Sequence, residues 1–195
     1  MIRNLAPSDG CWVGDLVSRQ IYRLDQVERF VLGTVGVPGE RQFFIQVKKA
    51  GQHFSFALEK NQAQALSDRF AEILKDAKLK SNLNAKNEQL DMAPLDSPID
   101  SEFALGVMSI SWKYDSKMID FEAQAITGDS GEDIFDEIVS DDTDNAPPVL
   151  RLSLTPQQVH SFVKRANSVI KAGRQPCMFC GGPINPDGHF CPRAN

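Results

Sequence analysis

The chain has 195 residues, enough for one large domain or two small ones. Its 42% hydrophobic and 24% charged residues are typical of a globular protein. The net charge of −5 argues against a dedicated nucleic-acid-binding protein, and no apolar run is long enough to cross a bilayer. The N-terminal residues lack the pattern of a secretory signal, so we expect a cytoplasmic protein whose thiols stay reduced.

The first half of the chain alternates apolar and polar residues and then changes to a helical period. We predict strands at 18–24, 29–36, 41–49 and 52–59. In residues 61–77 the apolar positions recur every three or four residues, which indicates an amphipathic helix. The polar residues 78–101 contain two prolines and are predicted to form a linker or a long loop.

The second half of the chain repeats this order of elements. We predict strands at 103–112, 118–126 and 149–155. A helix then begins at Pro156, with Thr155 as its capping residue, and ends at Gly173. An acidic loop at 127–147 interrupts the strands, with eight acids and no base in its residues 129–144. We expect this loop to be solvated and mobile, with a docking site for a basic partner as the alternative.

The two halves also resemble each other in sequence. The motif FxLG stands at 30–33 and at 103–106, and the two strand-to-helix junctions align without gaps, which matches Gln62 with Gln158. We therefore predict an α+β fold of duplicated βββα halves with mainly antiparallel sheets, although chance similarity is an alternative. Whether the halves form one barrel-like body or two separate sheets stays open. The predicted domains are an extension at 1–16, halves at 17–77 and 102–173, a linker at 78–101 and a metal-binding tail at 174–195.

Three of the four cysteines lie in the last nineteen residues, in the spacing Cys177-x2-Cys180-x8-His189-x-Cys191. The first pair, followed by glycine, indicates a turn whose backbone N–H groups point at the sulfurs, and His189 and Cys191 share one face of an extended segment. A set of three thiolates and one imidazole suits tetrahedral Zn²⁺. Zinc binding is worth roughly 10–16 kcal/mol to units of this size, enough to fold the tail. Four protein ligands leave no position for water, so we predict a structural zinc.

Other arrangements of the tail remain open at this stage. Cys177 and Cys180 are alternatively a redox pair, although no thioredoxin-like context follows them. The thiols are alternatively incidental, or an outside ligand replaces His189. The segment CMFCGGPINPDGHFCPRA resembles one form of zinc ribbon, but Ala194 stands where that pattern has its fourth cysteine. This departure leaves the fourth ligand and the ribbon geometry in question.

Few residues are candidates for catalysis, and we predict no catalytic residue. TGDSGED at 127–133 resembles the segment around the nucleophile of trypsin-like serine proteases, but His53 lies in a strand and the acids around Ser130 disfavour an oxyanion. Cys11 lies alone in the N-terminal extension, and His160 borders the apolar stripe of the last helix. A positive surface near the tail, available to phosphate or nucleic acid but more often merely solvated, is formed by Arg165, Lys171, Arg174 and Arg193.

Several segments together carry a family resemblance, among them EFALGVMSISW, LRLSLTPQQVHSFVKRA and the terminal CxxCGxPxxPxGHxCPRAN. They resemble an actinobacterial family of uncharacterised proteins, a domain of unknown function that is sometimes called a "repeat protein". The resemblance runs from about Val17 to Asn195, and residues 1–16 extend beyond it. It implies a soluble protein with a Cys/His tail, whose genes lie near those of a lipid-kinase-like protein, a histidine-phosphatase-like protein and a mycothiol-synthesis ligase. It assigns no catalytic residue.

These observations favour a non-enzymatic, zinc-containing module that binds a protein partner. An enzyme or accessory domain that acts on a phosphorylated or thiol metabolite, with a site between the halves, is the first alternative. Nucleic-acid binding through the ribbon-like tail is the second. A partner-binding module should expose an apolar patch, whereas an enzyme should have a pocket in which ionisable groups with shifted pKa values converge.

Overall fold

The computed structural model describes residues 18–76, 90–126, 137–140, 142–144, 146–173, 177–182, 184 and 188–193. Within these residues every predicted strand and helix is present, with ends that differ by at most three residues from the prediction. No helix among them is both long enough and apolar enough to cross a membrane. The elements are β1 (Ile21–Asp25), β2 (Arg29–Val35), β3 (Gln42–Lys49), β4 (Gln52–Leu58), α1 (Lys60–Asp76), β5 (Ser101–Lys113), β6 (Met118–Ala125), β7 (Val149–Leu154) and α2 (Pro156–Lys171).

The seven strands form one mixed sheet in the order β1-β7-β6-β5-β4-β3-β2. Neighbouring strands within β2-β3-β4 and within β5-β6-β7 are antiparallel, but β1 runs parallel to β7 and β4 runs parallel to β5. The prediction of mainly antiparallel sheets is therefore wrong, and a single mixed sheet replaces it. The reason lies in the connections: a helix and a long segment separate β4 from β5, and such a crossover brings the chain back in the same direction.

The two halves share a topology, since β2-β3-β4-α1 and β5-β6-β7-α2 each place three neighbouring strands before a helix. The FxLG motifs, however, do not occupy equivalent positions in the ladders. In the first half, Leu32 of the FxLG motif pairs with Ile45. In the second half, Phe121 holds the position of Ile45, but its partner is Ile110 and not Leu105 of the FxLG motif. Leu105 lies nearer the start of β5, before a register shift. Of the two sequence similarities, only the one at the strand-to-helix junctions therefore matches equivalent structural positions.

The sheet is curled, because a short connection joins its two edge strands. β1 and β2 are the edge strands, yet only residues 26–28 connect them. In a flat sheet, six strand spacings would separate the edges by about 29 Å, but the connection spans at most about 14 Å. Tyr22 of β1 accordingly contacts Phe54 of β4 across the interior, with ring centroids 5.9 Å apart. The strands thus form one barrel-like body that is open between β1 and β2.

The core fills the inside of this curled sheet and the space under the two helices. Phe30 of β2, Phe70 of α1, Phe121 of β6 and Phe162 of α2 form an aromatic cluster at its centre, with Phe30 and Phe162 stacked 4.5 Å apart. The apolar stripes predicted for both helices face this cluster. Strands and helices are therefore joined by one continuous core.

A segment of the predicted linker packs on the outer face of the first half. The backbone N–H of Asp96 donates to Gln46 Oε1 at 2.7 Å, and Gln46 Nε2 donates to the carbonyl of Asp96 at 2.9 Å. Leu95 lies on Gly33, where an added Cβ would come within 2.5 Å of the leucine side chain. Hydrogen bonds and side-chain contacts thus attach residues 90–98 to the first half, while residues 77–89 lie outside the described residues.

Candidate metal centre

The structure brings together the four residues whose spacing predicts a metal site. The ligand atoms of Cys177, Cys180, His189 and Cys191 all lie within 4.8 Å of one another. Cys177 Sγ is 3.7 Å from Cys191 Sγ, and Cys180 Sγ is 3.3 Å from His189 Nε2. Zn–S bonds of 2.3 Å at tetrahedral angles place two sulfurs about 3.8 Å apart. The cluster therefore has the size of a tetrahedral metal shell and can hold a metal ion.

A tight turn positions the first two sulfurs. The Gly181 N–H donates to the carbonyl of Cys177 at 2.8 Å, and the Cys177 N–H donates to the carbonyl of Gly182 at 2.7 Å. Gly181 has a φ of 73°, in the left-handed region that favours glycine. The N–H groups of Phe179 and Gly182 point at Cys177 Sγ and Cys180 Sγ, each at 3.4 Å. The turn thus supplies backbone donors to both sulfurs, as the sequence predicts.

The electrostatics of the cluster favour a bound cation. Backbone N–H groups at Cys180 and Phe179 lower the pKa of the Cys177 thiol. The Gly182 N–H also acts to lower the pKa of Cys180, but burial and the neighbouring sulfurs of Cys191 and Cys177 outweigh it and raise that pKa. Ionised thiols this close repel one another, and a divalent cation removes that penalty.

The donor set determines which ions and which chemistry fit. Three sulfurs and one imidazole suit Zn²⁺ better than Mg²⁺ or Ca²⁺, which prefer oxygen ligands. With His189 as the fourth ligand, the shell is complete, so the loss of the fourth ribbon cysteine at Ala194 does not leave it open. A closed shell has no position for water or substrate. The arrangement is therefore suited to a structural role.

Large apolar side chains around the cluster point into solvent. Met178 is 88% exposed, Phe179 is 58% exposed and Phe190 is 94% exposed. The exposure of the two phenylalanines was not predicted. The spacing of the ligands indicates this exposure. Phe179 lies between Cys177 and Cys180, and Phe190 lies between His189 and Cys191. When the ligands turn inward, the residues between them turn outward.

The positive surface predicted near the tail does not include Arg165. Its guanidinium is buried and donates to the carbonyls of Leu32, Asp91 and Ala93, at 2.7, 2.5 and 2.8 Å. Arg29 pairs with the same Asp91 and lowers the pKa of that carboxyl, while burial lowers the pKa of Arg165. Arg165 and Arg29 thus hold residues 91–93 on the fold, and Arg174 lies outside the described residues.

The acidic loop is partly tied to the body. Asp142 accepts hydrogen bonds from Arg19 at 3.1 Å and from Arg151 at 2.9 Å, and its pKa is lowered by the bond from Arg151. Asp142 is exposed and is paired with two arginines on neighbouring segments. Residues 127–136, including Ser130, lie outside the described part, as does Cys11. Of the remaining candidates, His53 Nε2 lies 2.9 Å from the carbonyl of Pro98.

The fold and the cluster define a class: an α+β protein with a curled mixed sheet and a C-terminal Cys3His cluster of metal-binding geometry. The family model described as "Protein of unknown function (DUF3090)" matches residues 22–191. The chain therefore belongs to this family. The matched range begins in β1 and ends at Cys191, so it includes all four clustered residues. No curated protein and no solved structure matched the chain.

Proposed function

We propose that this protein is a non-enzymatic binding module whose tail holds one structural Zn²⁺ and presents an apolar surface to a protein partner. The ligands are Cys177, Cys180, His189 and Cys191. The observation that carries the proposal is the exposure of Phe190, 94%, between two of these ligands. The contact surface, here called the knuckle surface, consists of Met178, Phe179 and Phe190.

The energetics of the knuckle surface favour a partner. Burying a Phe or Met side chain stabilises a contact by about 1.5–3 kcal/mol. Three such side chains stand on a unit that has almost no apolar interior of its own, since Cys177 is the one buried residue among its described positions. The metal holds the backbone on which they stand, so little additional ordering is required when the partner binds.

The distribution of shifted pKa values supports a non-enzymatic role. Outside the cysteines, the described groups with shifted pKa values lie in ion pairs or hydrogen bonds that join segments of the fold. Tyr22 is bonded to Glu102, Arg29 and Arg165 to Asp91, and Arg151 to Asp142. Three of these groups, Arg29, Asp91 and Arg165, line a cleft of about 230 Å³. There they are bonded to one another and to backbone carbonyls, as groups that stabilise structure are.

The chemistry of the cluster also supports a reducing compartment. Zinc binds thiolates and not disulfides, and the described cysteines are free. In an oxidising compartment, two of three thiols this close would be oxidised to a disulfide. We therefore propose a cytoplasmic location for the protein.

Capture from the native cell tests the partner-binding role. The full chain carries an affinity tag, and the comparison is between the native sequence and a Phe179→Ser, Phe190→Ser variant. Tyr114→Ser is the matched control, because Tyr114 is an aromatic residue of similar exposure, 84%, in the turn after β5. We expect one protein to bind the native chain and the control and to be lost from the double variant.

A second arm of the same experiment distinguishes a protein partner from a nucleic-acid partner. Exposed aromatic side chains also stack on bases, and such binding weakens steeply as salt rises. The proposal predicts capture that resists nuclease and moderate salt. Capture that nuclease abolishes, or that persists in the Phe179→Ser, Phe190→Ser variant, would contradict it.

A further inference from the structure

A cleft of 420 Å³ lies at the seam between the two halves, far along the chain from the cysteine cluster. It opens where β4 and β5 are paired irregularly, with a register shift between Ser55 and Ala57. Its volume falls within the range of about 300–1,000 Å³ that is common for small-molecule sites. The seam therefore provides a concave surface that the proposed partner-binding role does not use.

Two cations line this cleft. Arg41 precedes β3 and Lys60 begins α1, and both line the cleft. The β3–β4 ladder ends at the pair Phe43 and Leu58, and Arg41 and Lys60 each lie two residues beyond it, at the same end of these strands. Neither side chain makes a hydrogen bond or an ion pair with the described residues, in contrast to Arg19, Arg29, Arg151 and Arg165, whose guanidinium groups are all engaged.

Several apolar side chains also line the cleft. Leu58 and Leu105 are buried at its base, whereas Ile126 is 56% exposed at its rim. Glu59 is the one carboxylate among the described lining residues, so the two cations exceed the acids by one. A site with this lining is complementary to a molecule that has an anionic group at one end and an apolar body at the other.

We propose that this cleft binds a small organic phosphate. A phosphate monoester carries nearly two negative charges, and the lining offers a net charge of +1 when Glu59 is counted with Arg41 and Lys60. A guanidinium matches the geometry of phosphate oxygens. Its apolar body lies against Ala104 and Ile126. At the equivalent junction of the second half Pro156 stands in place of Lys60, so the two cations of this cleft have no equivalent pair there. This inference is independent of the metal tail and of its partner.

The inference is tested by titrating the isotope-labelled full chain with phenyl phosphate and monitoring the amide chemical shifts by NMR. We expect saturable shifts at the cleft, including the amides of Ala57, Gln62 and Ala104. Benzyl alcohol and inorganic phosphate, which each lack one half of the proposed ligand, should bind more weakly. Benzoate distinguishes a phosphate site from a general anion site, and we expect it to bind more weakly as well. Absence of cleft shifts with phenyl phosphate, or equal binding of benzoate, would overturn the proposal.

Three variants make the same titration decisive. Arg41→Gln with Lys60→Gln should weaken binding by about tenfold or more, because charge-assisted contacts are lost. Lys75→Gln is the matched control, since Lys75 lies in the last turn of the same helix, and its binding should be unchanged. Ala104→Leu fills the cleft from an exposed position and should also weaken binding. Binding that is unaffected in both the double variant and Ala104→Leu would place the ligand elsewhere and refute the inference.

Discussion

Gln62 and Gln158 make the same pair of hydrogen bonds in the two halves of the protein. Each accepts from the backbone N–H of the residue before its helix, Glu59 at 2.8 Å and Thr155 at 2.9 Å. Each donates from Nε2 to a carbonyl of the other half, Gln62 to Leu105 at 3.0 Å and Gln158 to Val27 at 2.7 Å. Both glutamines therefore join the start of a helix to the neighbouring half. We propose that this shared arrangement is a remnant of an internal duplication.

The bonds of Gln158 predict a measurable contribution to stability. Gln158→Ala leaves the Thr155 N–H and the Val27 carbonyl without their partner, so we expect the free energy of unfolding to fall by about 1–3 kcal/mol. Gln157→Ala, a change of the same size at an exposed neighbouring position, should alter it by less than about 0.5 kcal/mol. Urea denaturation measures both. Equal effects of the two changes would show that the bonds of Gln158 contribute nothing specific.

Arg165 should be a stability determinant and not a binding residue. Arg165→Met removes three bonds to backbone carbonyls and leaves Asp91 with one cation fewer, so we expect a loss of about 3–5 kcal/mol. Arg165→Lys should not recover this stability, because an ammonium group cannot make the three diverging hydrogen bonds of the guanidinium. The exposed pair of Arg69 with Glu72 gives the control, and Arg69→Met should cost less than about 1 kcal/mol. Similar losses at positions 69 and 165 in urea denaturation would contradict this assignment.

Gly33 is required by the packing of residues 90–98. Gly33→Ala places a methyl group within 2.5 Å of the Leu95 side chain, and we expect destabilisation of about 1–3 kcal/mol. Leu95→Ala removes the clashing atoms, so the double variant should be less destabilised than the sum of the two single changes. Additive losses in thermal or urea unfolding would mean that Leu95 does not rest on Gly33 in solution.

Tyr22 should produce a pH dependence at high pH. Burial, with a further contribution from the carboxylate of Glu102, raises the pKa of Tyr22 to about 12. A raised pKa means that the folded state holds the proton more tightly than the unfolded state. The stabilisation is therefore complete below pH 10 and is lost as the pH rises through the folded-state value. Absorbance titration should show a late phenolate transition that Tyr22→Phe removes, leaving Tyr114. A late transition that survives in Tyr22→Phe would contradict the assignment.

The local features were predictable because the information for them is local. The period of residues 61–77 and the Thr155-Pro156 start predict both helices, and the cysteine spacing alone identifies the four clustered residues. The pairing of β1 with β7 was not predictable, because Tyr22 and its partner Leu150 are far apart in sequence and no local pattern records their contact. The burial of Arg165 was missed for the same reason, since its partners Leu32 and Asp91 come from distant segments.

The metal content of the purified full chain tests the central claim most directly. Elemental analysis should give about one zinc per chain, as a closed Cys3His shell requires. Cys180→Ser should lose the metal, while Cys11→Ser, the same chemical change outside the cluster, should keep it. The body should stay folded in both variants, because its core lies in the sheet and helices. Protein that is purified without metal, or a Cys180→Ser variant with undiminished zinc, would contradict the account.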